Sequence, residues 1–255
     1  MTVRNISTTQ QTAGQKYGDA EWQRRVDLAA CYRLADRFGF SDLVWNHITA
    51  RVPGTENHFL INCFGLRFDE ITASNLIKVD QDGNVIDGPQ DINITGFVIH
   101  SGIYAARQDI ACVMHSHSPG GLAVSALECG LQPLVNDTMM FYERIAYHDY
   151  EGISTDVTER ERLAANLGDN NAMVLRNHGL LTAGRSVGEA FMLMYYLERA
   201  CSVQMQVLSS GQKPRIPPRE ICKLAAEQYD EFQPGKYEWP ALLRLLDDKD
   251  PSYRD

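Results

Sequence analysis

The chain has 255 residues, 44% hydrophobic and 22% charged, enough for one large domain around a substantial core. Its net charge of −9 and isoelectric point near 5.3 argue against nucleic-acid and anionic-membrane partners, which require basic surfaces. No uninterrupted apolar stretch approaches membrane-spanning length, and Met1 to Gln15 lack the apolar core of a secretion signal. Six scattered cysteines form no C-x-x-C pair, so reduced thiols in a cytoplasmic protein are expected.

Residues 1–17 are polar and aperiodic and read as a flexible segment. A helix follows from Glu21 to Phe38, with Val26, Ala30, Leu34 and Phe38 at four-residue spacing and Gly39 as its stop. Short strands are predicted at His47–Val52, His58–Asn62 and Leu76–Val79, separated by Pro53-Gly54 and the Gly65 turn. Thr95 to Arg107 reads as a helix feeding the strand Ile110–Met114, and Ser118 to Cys129 as another ended by Gly130. Leu134 to Tyr150 reads as a β-rich patch, and Thr155 to Leu167 as an amphipathic helix stopped by Gly168. Strands at Ala172–Leu175 and Leu180–Ala183 then flank a tight turn. Ser186-Val187-Gly188-Glu189 is a capping box that opens a long helix reaching Ser209. Pro214, Pro217 and Pro218 break the chain before a short helix, Arg219–Gln228. The expected organisation is one domain over residues 18–212, with 213–255 as an extension packing on it or on a neighbouring subunit. Strands interleaved with helices give an α/β (α+β) sandwich.

The chemistry concentrates at His115, Ser116 and His117, where the apolar run Ile110–Met114 meets the small-residue turn Ser118-Pro119-Gly120-Gly121. Side chains at i and i+2 of a strand share a face, so both imidazoles can reach one ion. His178, in the turn Arg176-Asn177-His178-Gly179, supplies a third. Three neutral imidazoles with an open position form the ligand set of a catalytic divalent metal. Zinc is the expected ion, although imidazole also accepts Fe, Mn, Co and Ni.

The segments Ile99 to Arg107 followed by Val113-Met114-His115-Ser116-His117-Ser118, and Arg176-Asn177-His178-Gly179-Leu180-Leu181, resemble the signatures of the class II aldolase/adducin superfamily. His58–Asn62, Phe64-Gly65-Leu66 and Asp69–Thr72 resemble its N-terminal part, and the likeness covers roughly residues 20 to 210. It implies a three-layer αβα sandwich around a mostly antiparallel sheet, assembled as a homotetramer with sites at subunit boundaries. It also implies that His115, His117 and His178 are the metal ligands.

In sugar-phosphate aldolases of this family a glutamate precedes the position of His100 by four residues; here that position is Gly96, which cannot move a proton. The family's substrate-binding loops correspond to Trp45-Asn46, Phe64-Gly65 and Ile94-Thr95, which nominates Asn46, Gly65 and Thr95 for substrate contacts. The bulk of Trp45 and Phe64 suits a phosphate poorly.

The expected activity is therefore metal-dependent lyase chemistry, of aldolase or decarboxylase type, on a small non-phosphorylated carbonyl or acid. Glu143, Tyr142, His148 and His100 are the candidates for proton transfer. Two alternatives stand beside it: an adducin-like binding or scaffold protein with an altered site, and a three-histidine non-haem iron enzyme. Met139, Met140, Phe141, Tyr142, Tyr147 and Tyr150 add a composition typical of a subunit interface.

Overall fold

In the computed structural model, which describes residues 16–152 and 158–255, eight strands join in one sheet. They are β1 (His47–Arg51), β2 (His58–Ile61), β3 (Ile77–Asp80), β4 (Val85–Asp87), β5 (Cys112–Ser116), β6 (Ala146–His148), β7 (Ala172–Leu175) and β8 (Gly179–Gly184). Their spatial order is β4-β3-β2-β1-β5-β8-β7-β6, and only the β6–β7 pair is parallel. The helices are α1 (Asp19–Arg37), α2 (Ile94–Ala106), α3 (Pro119–Ser125), α4 (Asn136–Met139), α5 (Glu159–Leu167), α6 (Val187–Ser209), α7 (Arg219–Gln228) and α8 (Glu238–Asp247).

Alternation along the strands builds two cores, one on each face of the sheet. Ile48, Cys112, Met114 and Leu180 face α1 and α6, where Leu28, Leu34, Phe191 and Leu197 meet them. Phe59, Val113, Met173 and Leu181 face the other way, against Val98, Ile99 and Ile103 of α2 and Leu163 and Leu167 of α5. The result is the αβα sandwich around a mostly antiparallel sheet. Its registers matter for function. His47 lies opposite His115 across the β1–β5 pair, and β8 borders β5 on its other side, with Leu181 opposite His115.

Several local expectations are corrected. Between Leu134 and Tyr150 only Ala146–His148 is strand, and Asn136–Met139 is a helical turn. Thr138 closes that turn on Val135 by donating from its hydroxyl to the Val135 carbonyl and accepting the Val135 N–H, which outweighs the β propensity of the aromatics. The helix after His117 stops at Ser125 rather than Cys129. Strand β4 and helix α8 were not foreseen. The Asp80 carboxylate accepts the amides of Asp82 and Asn84, which turns the chain back into β4.

Residues 1–15 lie outside the described residues, as do 155–157 of the helix expected to begin at Thr155. Lys16 and Tyr17, counted above with the flexible segment, are pinned to the Asp87 carboxylate, and the Arg25 guanidinium stacks on Tyr17. The extension beyond residue 212 packs on its own chain. Trp239 of α8 rests on Phe191 and over Gly188, and its Nε1 donates to Asp27 at 3.3 Å. The amides of Ala73 and Ser74 donate to the carbonyls of Tyr253 and Asp255.

Candidate metal centre

Strand β5 ends by delivering His115 with a buried ring, and His117 follows where the chain turns into α3. His178 arrives on the β7–β8 turn, whose Asn177 has a φ of 54°. That turn presses so closely on β5 that a Cβ on Gly179 would lie 2.4 Å from the Ser116 carbonyl, so only glycine fits. One nitrogen from each of His115, His117 and His178 lies within 4.8 Å of the others, the one such cluster among the described residues.

The outer hydrogen bonds set the tautomers. His115 Nδ1 donates to the Leu180 carbonyl at 3.0 Å, and His117 Nδ1 donates to the Asp42 carboxylate at 2.9 Å. A neutral imidazole carries one N–H, so each Nε2 keeps a lone pair. These two Nε2 atoms face each other 3.0 Å apart. Facing lone pairs repel, whereas a cation between them is attracted to both. Bonds of about 2.0–2.1 Å to a tetrahedral zinc would set them roughly 3.3 Å apart. The donor set, its tautomers and its spacing all fit a divalent ion, with Leu180 and Asp42 as the outer partners such sites commonly use.

The approach of His117 is fixed from behind by Glu198 of α6. Its nearly buried carboxylate accepts the amides of Gly120 and Gly121 at 2.9 and 2.7 Å and the hydroxyls of Ser118 and Ser202. A Cβ on Gly120 would sit 2.5 Å from a Glu198 oxygen, which explains the small residue there. Asn46, fully buried, accepts the His117 amide at 3.4 Å.

Burial and neighbouring imidazoles hold His115 well below the usual histidine range and lower His178 to about 4; His47 and His100 are likewise kept low, chiefly by burial. In the unfolded chain these groups titrate near 6.5. Below that pH the unfolded state binds protons that the folded state refuses, so acid favours unfolding. The metal-free protein is expected to show constant stability from these groups above about pH 7 and a progressive loss from about pH 6.5 toward 4. His178 alone accounts for up to about 3 kcal/mol of it. Denaturant titrations at pH 7.5 and pH 5 measure this, and equal midpoints would contradict it.

The three histidines line a cavity of about 510 Å³ together with Asp42, His47, Ile99, Leu122 and Tyr150. Among the described residues no lysine or arginine lines it. Trp45 also lines it and pairs with Phe64, ring centroids 5.7 Å apart.

The other expected site residues are distributed unevenly. Glu143 is on the surface, bound by Arg219 at 2.9 Å and approached by Lys223, and neither it nor Tyr142 lines the cavity of its own chain. Sequence reasoning could not foresee those α7 partners, because nothing local links 143 to 219. His148 is buried behind His178, its Nδ1 held by Asn166 and its Nε2 3.4 Å from Glu159. Gly65 adopts a φ of 92° beside Phe64 and does not line the cavity. The side chain of Thr95 lies outside the described residues. His100 faces His47 rather than the cavity, its Nε2 3.1 Å from His47 Nδ1.

His47 is the residue that the sequence reading missed. The signal was present: His47 and Thr49 alternate on the same face of β1, the face that His115 occupies on the adjacent strand. Its ring also explains Gly96, because a Cβ there would lie 2.8 Å from His47 Cγ. In a helix, Gly→Ala ordinarily stabilises by up to about 1 kcal/mol. Gly96→Ala is expected to do the reverse and lower the melting temperature, because the buried imidazole must move; a rise would show the contact to be soft.

A family model for the class II aldolase and adducin N-terminal domain matches residues 26–205. The crystal structure of an aldolase II superfamily protein from Pseudomonas syringae is 49% identical with a TM-score of 0.89, covering 93% of this chain and 97% of that one. L-fuculose 1-phosphate aldolase from Glaciozyma antarctica PI12 is 30% identical with a TM-score of 0.82, covering 92% of this chain and 93% of the other. Alpha-adducin from Rattus norvegicus is 42% identical over 91% of this chain but only 34% of its own length. By family match, fold and sequence identity, the chain belongs to the class II aldolase/adducin superfamily.

Proposed function

We propose that this protein is a metal-dependent carbon–carbon lyase acting on a small, oxygenated, non-phosphorylated carbonyl compound or acid. The observation that carries this reading is the convergence of His115, His117 and His178 on one cavity, with the Nε2 atoms of His115 and His117 3.0 Å apart. His115, His117 and His178 would hold a divalent ion there, which would supply Lewis-acid polarisation of substrate oxygens. Around it, the described cavity offers Asp42 and no cation, with apolar walls from Ile99, Leu122 and Trp45. That environment disfavours a phosphate dianion and accommodates an apolar substituent. The 30% identity to a fuculose-phosphate aldolase supports lyase chemistry in general terms.

The test is elemental analysis of the purified protein, followed by carbon–carbon cleavage assays on hydroxy and oxo acids before and after chelation. The proposal requires about one zinc or similar ion per chain and activity that disappears on chelation and returns with the metal. Protein that holds no ion at any tested supply would favour a binding or scaffold role.

The same reading includes a homotetramer in which a neighbour's Tyr142 or Glu143 completes proton transfer, since Gly96 carries no acid and His148 is engaged elsewhere. Leu43, Trp45, Phe64 and Tyr150 leave large apolar area exposed, and Trp45 and Tyr150 line the cavity, consistent with a covering subunit. Light scattering at micromolar concentration should return about four times the 28.7 kDa chain mass. A monomer would remove the shared-site part while leaving the metal site standing.

A further inference from the structure

Behind the three histidines runs a buried chain of four polar side chains. His47 Nδ1 lies 3.1 Å from His100 Nε2, His100 Nδ1 lies 2.7 Å from Thr49 Oγ1, and Thr49 Oγ1 lies 3.0 Å from the Tyr104 hydroxyl. All four residues are at most 3% exposed. Of the proton arrangements open to this chain, one gives every hydrogen of Tyr104, Thr49 and His100 an acceptor and leaves the far end, His47 Nε2–H, to the cavity that His47 lines.

Tyr104 has one O–H, and its only hydrogen-bonding partner among the described residues is Thr49, so Tyr104 donates to Thr49. Thr49, now accepting from Tyr104, donates its own proton to His100 Nδ1. His100 with an accepting Nδ1 carries its hydrogen on Nε2 and donates it to His47 Nδ1. His47 with an accepting Nδ1 therefore carries its hydrogen on Nε2. Reversing the chain strands the Tyr104 proton in the core, and letting Thr49 accept from both neighbours strands the Thr49 proton instead.

The His47 ring is also fixed in place. It lines the main cavity, its centroid is 5.0 Å from that of His115, and Gly96 leaves room for it where any Cβ would collide. With its one hydrogen on Nε2 and its Nδ1 lone pair committed to His100, it has no lone pair free to bind the ion. We infer that His47 is a neutral hydrogen-bond donor beside the metal centre, placed to hold a carboxylate or enolate oxygen of the metal-bound substrate. The inference rests on the lyase reading above. It makes His47 a specificity-determining residue, favouring substrates that present an anionic oxygen next to the metal-bound one.

Two measurements test it. Imidazole ¹⁵N spectra of the metal-free, full-length protein at pH 7.5 should show His47 protonated on Nε2 and bare on Nδ1. A proton on Nδ1 would overturn the assignment whether or not the protein binds metal. Calorimetric titration of the zinc-loaded protein with oxalate should then show about ten- to a hundredfold weaker binding for His47→Leu, the loss expected for one hydrogen bond to a charged oxygen. His47→Gln, which keeps an N–H donor, should recover most of that loss. A His47→Leu protein that retains full zinc and wild-type oxalate affinity would refute the role. Wild-type protein that holds no zinc would instead count against the lyase reading, and the spectra would still report on His47. If His47→Leu does not fold, the tautomer measured in the unaltered chain decides.

Discussion

Alanine at His115 or His117 is expected to abolish retention of the divalent ion on dialysis, and with it any carbon–carbon cleavage. The reasoning is geometric. Both residues aim an Nε2 lone pair at one point because their Nδ1 hydrogens are already committed to Leu180 and Asp42. Removing either ring leaves two imidazoles, too few for the three-ligand catalytic sites that proteins build for zinc. The partners behind the rings allow a graded control. Asp42→Asn should leave the ligand set intact and weaken affinity by about 10–100-fold, the usual cost of losing an outer carboxylate. Metal content by mass spectrometry, paired with thermal denaturation to establish folding, reads both. Full stoichiometric retention by folded His115→Ala would mean that the ion sits elsewhere.

How much of this was readable in advance depended on how local the cause was. The Ser186 N-cap, the helix stop at Gly168 and a strand leading into the histidine pair are written within a few residues, and the structure has each of them, the strand lying at Cys112–Ser116 rather than Ile110–Met114. The three histidines were equally plain, because the i,i+2 pair and the turn histidine both lie at element ends, where side chains converge. The misses are long-range. Leu134 to Tyr150 has strand composition, yet Thr138 folds its start into a turn and Phe141 is needed in the helical layer. Glu143 looked like a stray acid near the site, but α7 brings Arg219 to it from 76 residues away. The role of His47 depends on pairing with β5 and on a helical glycine 49 residues further on, which local spacing does not reveal. In the sequence Gly96 reads only as a missing carboxylate. In the fold it is also the space that another side chain needs.

That double role of Gly96 underlies the second large effect, which concerns sugar phosphates. Fuculose or rhamnulose 1-phosphate is expected to be a poor substrate, with turnover about 10²–10⁴ below that of an enzyme carrying a placed acid/base, since no such carboxylate stands at 96. The anion end of the substrate fares no better. The described cavity lining contains Asp42 and no lysine or arginine, and Trp45, whose ring pairs with Phe64, adds bulk to it where a phosphate cradle would need small residues. Restoring the carboxylate should fail for a reason visible in the fold. In Gly96→Glu the new Cβ would begin 2.8 Å from His47 Cγ, so the glutamate can enter only by driving a buried, hydrogen-bonded imidazole from its place. The single variant is therefore expected to melt earlier and to remain inactive on sugar phosphates. Gly96→Glu combined with His47→Ala should regain part of the lost stability, because the volume at 47 is then free. Retro-aldol turnover measured by coupled release of the carbonyl products, alongside melting curves for both variants, separates the two causes. Brisk cleavage of a sugar phosphate by the unaltered protein would show that some other group supplies the proton and that the apolar cavity admits phosphate after all.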